Sequence, residues 1–103
     1  MDLKKILVCI TNYNDNDNAL KLKSEFSQHI DTIIIDSGSK NQLDDFDVKL
    51  DNIYYSGLYN ESVKQCIIRN KEYLYFIASD VFIDNVDKIV NIISELNDEI
   101  YLW

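Results

Sequence analysis

The stretch KKILVCI, residues 4–10, decides the fold. After its lysines it is apolar without interruption and rich in branched side chains, the pattern of a strand buried on both faces. A sheet with one wet face would alternate apolar and polar residues instead. The same habit returns in DTIIIDSGS, residues 31–39, where Thr32–Ile35 reads as a strand that breaks at Asp36-Ser37-Gly38-Ser39. YLYFIA, residues 73–78, reads as a further strand, with the shorter NIYYS, residues 52–56, before it.

Helical spacing fills the intervals. Asp17 or Asn18 is suited to cap a helix running to about Gln28, with Ala19, Leu22 and Phe26 on one face. Gly57 breaks the pattern after NIYYS, and Asn60 caps a second helix whose inner face is Val63, Cys66 and Ile67. Asp84 or Asn85 starts a third, with Val86, Ile89, Val90, Ile93 and Leu96 in the clearest amphipathic series of the chain. Residues 40–51 read as a polar loop, and EIYLW, residues 99–103, as another strand. Apolar strands alternating with helices imply crossover connections. The expected fold is therefore α/β: three layers, a mostly parallel sheet and helices on both faces, in a single domain over residues 1–103.

Composition narrows the function. A formal charge of -8 argues against a nucleic-acid binder, which needs clustered Lys and Arg. It leaves room for a nucleotide held with a divalent cation that acidic side chains recruit. No apolar run approaches the roughly 20 residues of a membrane span, and MDLKK does not open a signal peptide. Cys9 and Cys66 lie in apolar segments and read as reduced core thiols, so a cytoplasmic protein is expected. With one histidine, His29, at a helix end, nothing has zinc-ligand spacing.

Ligands of open parallel sheets bind beyond the carboxyl ends of the strands. Polar clusters end three strands here: TNYN (11–14), DSGS (36–39) and Ser79-Asp80. A carboxylate inside a core is costly without a partner. Asp80, after YLYFIA, is therefore expected to leave the core at this rim. Gly38 and Gly57 are the whole glycine complement, so neither a dinucleotide fingerprint nor a phosphate-binding glycine loop is present. A phosphate here needs a metal, and Asp80 is its natural ligand.

The order apolar strand, TNYN, helix, IIIDSGS, YYSGLYN, helix, YLYFIASDVFIDNVDKI resembles the nucleotide-sugar-binding half of inverting glycosyltransferases of family 2, which have the GT-A fold. The resemblance covers about residues 4–96. It implies binding of a nucleotide diphosphate sugar, UDP-linked, for inverting transfer to a hydroxyl acceptor on a glycan or a lipid-linked group. Thr11 and Tyr13 would line the uracil pocket, and Asp36 or Ser37 would hydrogen-bond the base or ribose. Asn60 would face the nucleotide or sugar, unless it serves only as a helix cap. Asp80 matches the last acid of the family's aspartate-x-aspartate segment, which binds Mg²⁺ or Mn²⁺ and through it the diphosphate.

The chain departs from the pattern at Ala78, where many relatives carry the first acid, and at Val81. The acceptor-binding half and the catalytic base of the family would lie beyond Trp103, so donor binding without efficient transfer is the expectation for these residues. The competing reading is a non-catalytic interaction module that associates, as a homodimer for example, through EIYLW as an edge strand. Tyr55 and Tyr59 are the aromatic residues singled out for sugar stacking. The acidic run DDFDVKLD, residues 44–51, reads as a solvated loop. A phosphoacceptor receiver domain is disfavoured, because CITNYN supplies no acid after the first strand.

Overall fold

The computed structural model describes residues 1–52 and 55–96, for Tyr55 the backbone alone. After a 3₁₀ turn at Leu3–Lys5 come β1 (Ile6–Asn12), α1 (Asn16–Phe26), β2 (Asp31–Ser37), β3 (Val48–Leu50), α2 (Tyr55–Ile68), β4 (Tyr73–Ala78) and α3 (Val86–Ser94). The four strands pair in the order β3-β2-β1-β4, and every pairing is parallel. Central β1 is buried along its whole length, as its unbroken apolar run requires.

The pleat of β1 sorts its side chains onto two faces. Ile6, Val8 and Ile10 meet Ile34 and Ile77 under α1 (Ala19, Leu22, Phe26) and α3 (Val86, Val90, Ile93). Leu7 and Cys9 meet Ile33 and Ile35 under α2 through Leu58 and Cys66. The protein is thus a three-layer α/β domain with an all-parallel sheet. The crossover from β1 to β2 steps one way along the sheet, and that from β3 to β4 steps back. Right-handed crossovers send the two helices to opposite faces, which is where α1 and α2 lie. No helix among the described residues is long and apolar enough to cross a membrane.

Three expectations need correction. The third strand is Val48–Leu50, inside the segment read as loop, and Tyr55 and Ser56 belong to α2 rather than to a strand NIYYS. Pairing decides this: Val48, Lys49 and Leu50 lie in register with Ile35, Asp36 and Ser37. Asp47 anchors the approach, accepting from the Ile34 amide and the Lys23 ammonium, each at 2.8 Å. The aromatic residues that suggested a strand are overruled by Leu58, Ser62 and Cys66, which recur every fourth residue on the buried face of a helix.

The second correction concerns the start of the same helix. Because α2 starts at Tyr55, Asn60 lies inside the helix and is exposed, so it caps nothing. Third, the inner face of α2 is turned by one residue from the expected one: Ile67 is 72% exposed and Val63 only partly buried. α1 begins at Asn16, slightly before the expected Asp17 or Asn18 cap, whereas α3 is capped by Asn85, whose Oδ1 accepts from the Lys88 amide at 3.1 Å. His29 is an exposed residue just past α1, 2.8 Å from Asp87. The expected strand EIYLW, Trp103 and the Tyr55 side chain lie outside the described residues.

Candidate functional site

The parallel sheet carries the ends of β1, β2 and β4 to one rim. Asn12 pairs with Asp36 in strand register and Thr11 with Ala78, so residues 11–13, 36–37 and 79–80 emerge side by side. They do so in two layers, a buried polar girdle and an open hollow above it.

Asn12 stands at the centre of the girdle, 1% exposed. Its Nδ2 donates to Asp36 Oδ1 at 2.9 Å and to Asn16 Oδ1 at 2.8 Å, with Ser39 Oγ further off at 3.4 Å. Its Oδ1 accepts from the Ser79 hydroxyl at 2.9 Å and the Asp15 amide at 3.2 Å. Asp36 is fully buried beside it. Besides Asn12, the carboxylate accepts from Ser39 Oγ at 2.6 Å, the Ser39 amide at 3.0 Å and Gln42 Nε2 at 2.8 Å. Burial on its own would raise its pKa. The hydrogen bonds from Ser39, Gln42 and Asn12 outweigh that and hold it below the ordinary carboxylate value. Asp36 is thus an ionised carboxylate with both oxygens engaged inside the protein.

Two loop conformations complete the girdle. Asn14 has φ +55°, a left-handed geometry that Asn tolerates, and its amide donates to Ser39 Oγ at 2.7 Å. Gly38 has φ +67°, and a Cβ there would lie 2.5 Å from the Asn52 backbone nitrogen. Only glycine lets the chain leaving β2 lie this close to the chain leaving β3.

The hollow has a volume of about 340 Å³. Thr11 and Asn12 from β1 with Tyr13 just past it, Ser37 from β2, Asn52, Leu58 from α2, and Ala78 from β4 with Ser79 and Asp80 just past it line the hollow. Thr11 and Ser37 are buried in its wall, whereas the Tyr13 ring is 55% exposed at its lip. Ser79, 3% exposed, is held from three directions: its hydroxyl by Asn12, its amide by Thr11 O at 2.8 Å, and its carbonyl by Asn18 Nδ2. Asp80 comes next in the chain, exposed, with no hydrogen-bond or ion-pair partner for its carboxylate among the described residues. Among the described residues it is the one charged group lining the hollow.

The structure therefore gathers Thr11, Tyr13, Ser37 and Asp80 around one space. It sets Asp36 on the same rim but beneath the surface, and it leaves Asn60 outside the hollow's lining. Asn12 and Ser79 were expected at this rim only as members of polar strand ends, without a role of their own, and Asn52 and Leu58 were not foreseen. A polar residue terminating an apolar strand was the signal for Asn12 and Ser79. Asn52 and Leu58 reach the hollow through β3, which was not foreseen, and through the first turn of α2, which starts earlier than expected, and carried none.

No group of three or more His, Cys, Asp or Glu among the described residues is placed to hold a metal by itself. Burial pushes the Cys9 thiol up to about 12, with a Ser62 hydrogen bond offsetting part of the shift, so it is an inert core group. A scan against protein-family models, a search of curated proteins and a search of solved structures each return no match to the chain.

Proposed function

We propose that the hollow binds a nucleotide diphosphate sugar, UDP-linked, together with a Mg²⁺ or Mn²⁺ ion, as the donor side of an inverting glycosyltransferase of family 2. The observation that carries this reading is the contrast at consecutive residues. Ser79 is held by three bonds, and Asp80, lining the hollow with the exposed Tyr13, presents a carboxylate that has no partner among the described residues. A carboxylate left free on a clamped backbone is poised for a cationic ligand.

The donor set fits a hard divalent ion that arrives with its phosphates. Such ions take oxygen ligands, commonly one or two carboxylates completed by phosphate oxygens and water, and Asp80 supplies one carboxylate. When bound, the ion offsets the negative charge on the diphosphate leaving group. Tyr13 offers its ring face to the base, and Thr11, Ser37 and Asn52 offer neutral hydrogen-bonding groups to base and ribose. Among the described residues no Lys or Arg lines the hollow, so in this reading the cation is what holds the diphosphate.

Transfer to a hydroxyl acceptor also requires a base. The one acid lining the hollow among the described residues is engaged with the cation in this reading, so the function assigned to these residues is donor binding. The free, buried thiols Cys9 and Cys66 fit a reducing, cytoplasmic setting. Calorimetric titration with UDP and Mn²⁺ tests the reading. Saturable binding is expected, lost by at least about a hundredfold in Asp80→Ala, or roughly 2.7 kcal/mol. Binding that survives the substitution, or none in the parent protein, overturns it.

A further inference from the structure

The Asp80 carboxylate is useful only if it stands at a fixed place relative to Tyr13, and no described residue bonds to the carboxylate to hold it there. Its position is inherited from the backbone of Ser79. Of the groups that hold Ser79, the Thr11 carbonyl belongs to the ordinary strand ladder and Asn18 comes from the first turns of α1. Asn12 alone reaches the far side of the rim as well, bonding Asp36 at the end of β2 through Nδ2 while its Oδ1 accepts from Ser79 at the end of β4.

We propose that Asn12 is the positioning residue of the hollow: its amide ties the end of β4 to the end of β2 and so sets where Asp80 stands relative to Tyr13. The inference rests on the reading of Asp80 as the cation ligand, yet the tie itself is a statement about Asn12 and Ser79. The chemistry demands an amide. A buried carboxylate on one side must receive a proton donor, and a hydroxyl on the other must find an acceptor. Asn presents both on one short, planar group. An Asp would keep the acceptor for Ser79 but set a second carboxylate against Asp36. A Ser is too short to span both partners. At 1% exposure no water substitutes for it.

Two variants separate the halves of the tie. Ser79→Ala removes the β4 side and leaves Asn12 bonded to Asp36. Asn12→Asp breaks the β2 side and keeps the shape. The ligand-free readout is hydrogen exchange at the Ser79 amide, which donates to Thr11 O, compared with amides in the middle of β4. The expected result is a fall in protection of about tenfold or more at Ser79 in both variants, with the mid-strand amides unchanged. Unchanged protection at Ser79 overturns the proposal. So does a uniform fall along β4, which would mean that Asn12 merely holds the sheet together. Should Asn12→Asp fail to fold, Ser79→Ala decides alone. With Mn²⁺ and UDP, Ser79→Ala should bind about tenfold more weakly than the parent while melting within a few degrees of it, and equal affinity counts against the proposal. A parent protein that binds no UDP at all sinks the donor reading, and the exchange experiment still judges the tie.

Discussion

One aspartate, Asp36, lies next to last in β2 and another, Asp80, two residues past β4, on the same rim of the same sheet, and the two acids live opposite lives. Asp36 is fully buried, and Ser39, Gln42 and Asn12 surround its carboxylate with donors. Asp80 is exposed and has no such partner among the described residues. The difference comes from the path of the chain as it leaves each strand. After Asp36 it turns sharply through Gly38 and sends the Ser39 amide and hydroxyl back onto the carboxylate. After Asp80 it runs on to Asn85 with Val81 and Phe82 exposed, and no described residue returns to the carboxylate. One acid builds the rim and the other is available to a ligand.

Substituting Asp36 should have the largest effect on stability. Asp36→Ala strands the Asn12 amide, the Ser39 amide and hydroxyl and the Gln42 amide, groups for which loss of a charged partner costs about 1.5–3 kcal/mol each when none relaxes. Partial relaxation brings the expected loss to roughly 3–4 kcal/mol in chemical denaturation, a large share of the ~5–15 kcal/mol of a typical domain. Asp80→Ala should stay within about 0.5 kcal/mol of the parent. Equal losses in the two variants would erase the distinction between them.

Acid provides a second probe of the same contrast. The pKa of Asp36 is lower in the folded protein than in the unfolded chain. Its stabilisation is therefore full above the unfolded carboxylate value of about 3.9 and is lost as pH falls through the lower folded value. Unfolding free energy measured from pH 5 to pH 3 should fall more steeply for the parent than for Asp36→Asn, because the variant has no proton to take up at this site. Parallel curves would mean that folding does not lower the Asp36 pKa, and a shallower fall for the parent would mean that burial raises it instead.

Gly38→Ala should act on both sides of the rim with a smaller effect. The left-handed φ and the 2.5 Å approach to the Asn52 nitrogen oppose any Cβ, and a cost of roughly 2–3 kcal/mol is expected from the thermal midpoint. Because Asn52 lines the hollow, the same variant should also weaken UDP binding. Asp36→Ala would share the stability loss. Asp80→Ala would share only the binding loss.

The strands buried on both faces were legible because continuous apolar runs admit few alternatives, and the parallel sheet then places Thr11, Tyr13, Ser37 and Asp80 on one rim without further information. Val48–Leu50 was not legible: VKL has no strand signal of its own and becomes a strand by pairing with Ile35–Ser37. Asn12 looked like one more turn residue in TNYN. Its role depends on partners 24 and 67 positions away, a distance over which local spacing says nothing. Asn60 was misread as a cap because a strand NIYYS broken at Gly57 places the start of α2 too late.

The smallest expected effect lies on α2, where neighbouring residues face opposite ways. Leu58 and Cys66 reach the second core layer, and Leu58 also lines the hollow, whereas Ile67 stands almost free. Ile67→Ser should therefore change stability by less than about 0.5 kcal/mol, while Leu58→Ala should cost roughly 2–3 kcal/mol and loosen the wall facing Asp80. The pair asks whether α2 is held only by its inner residues. A loss above about 1 kcal/mol for Ile67→Ser would show that this outer face is covered in solution. The helix supporting the hollow would then be braced from outside as well as from the sheet, and the free Asp80 would owe its position to more than the rim beneath it.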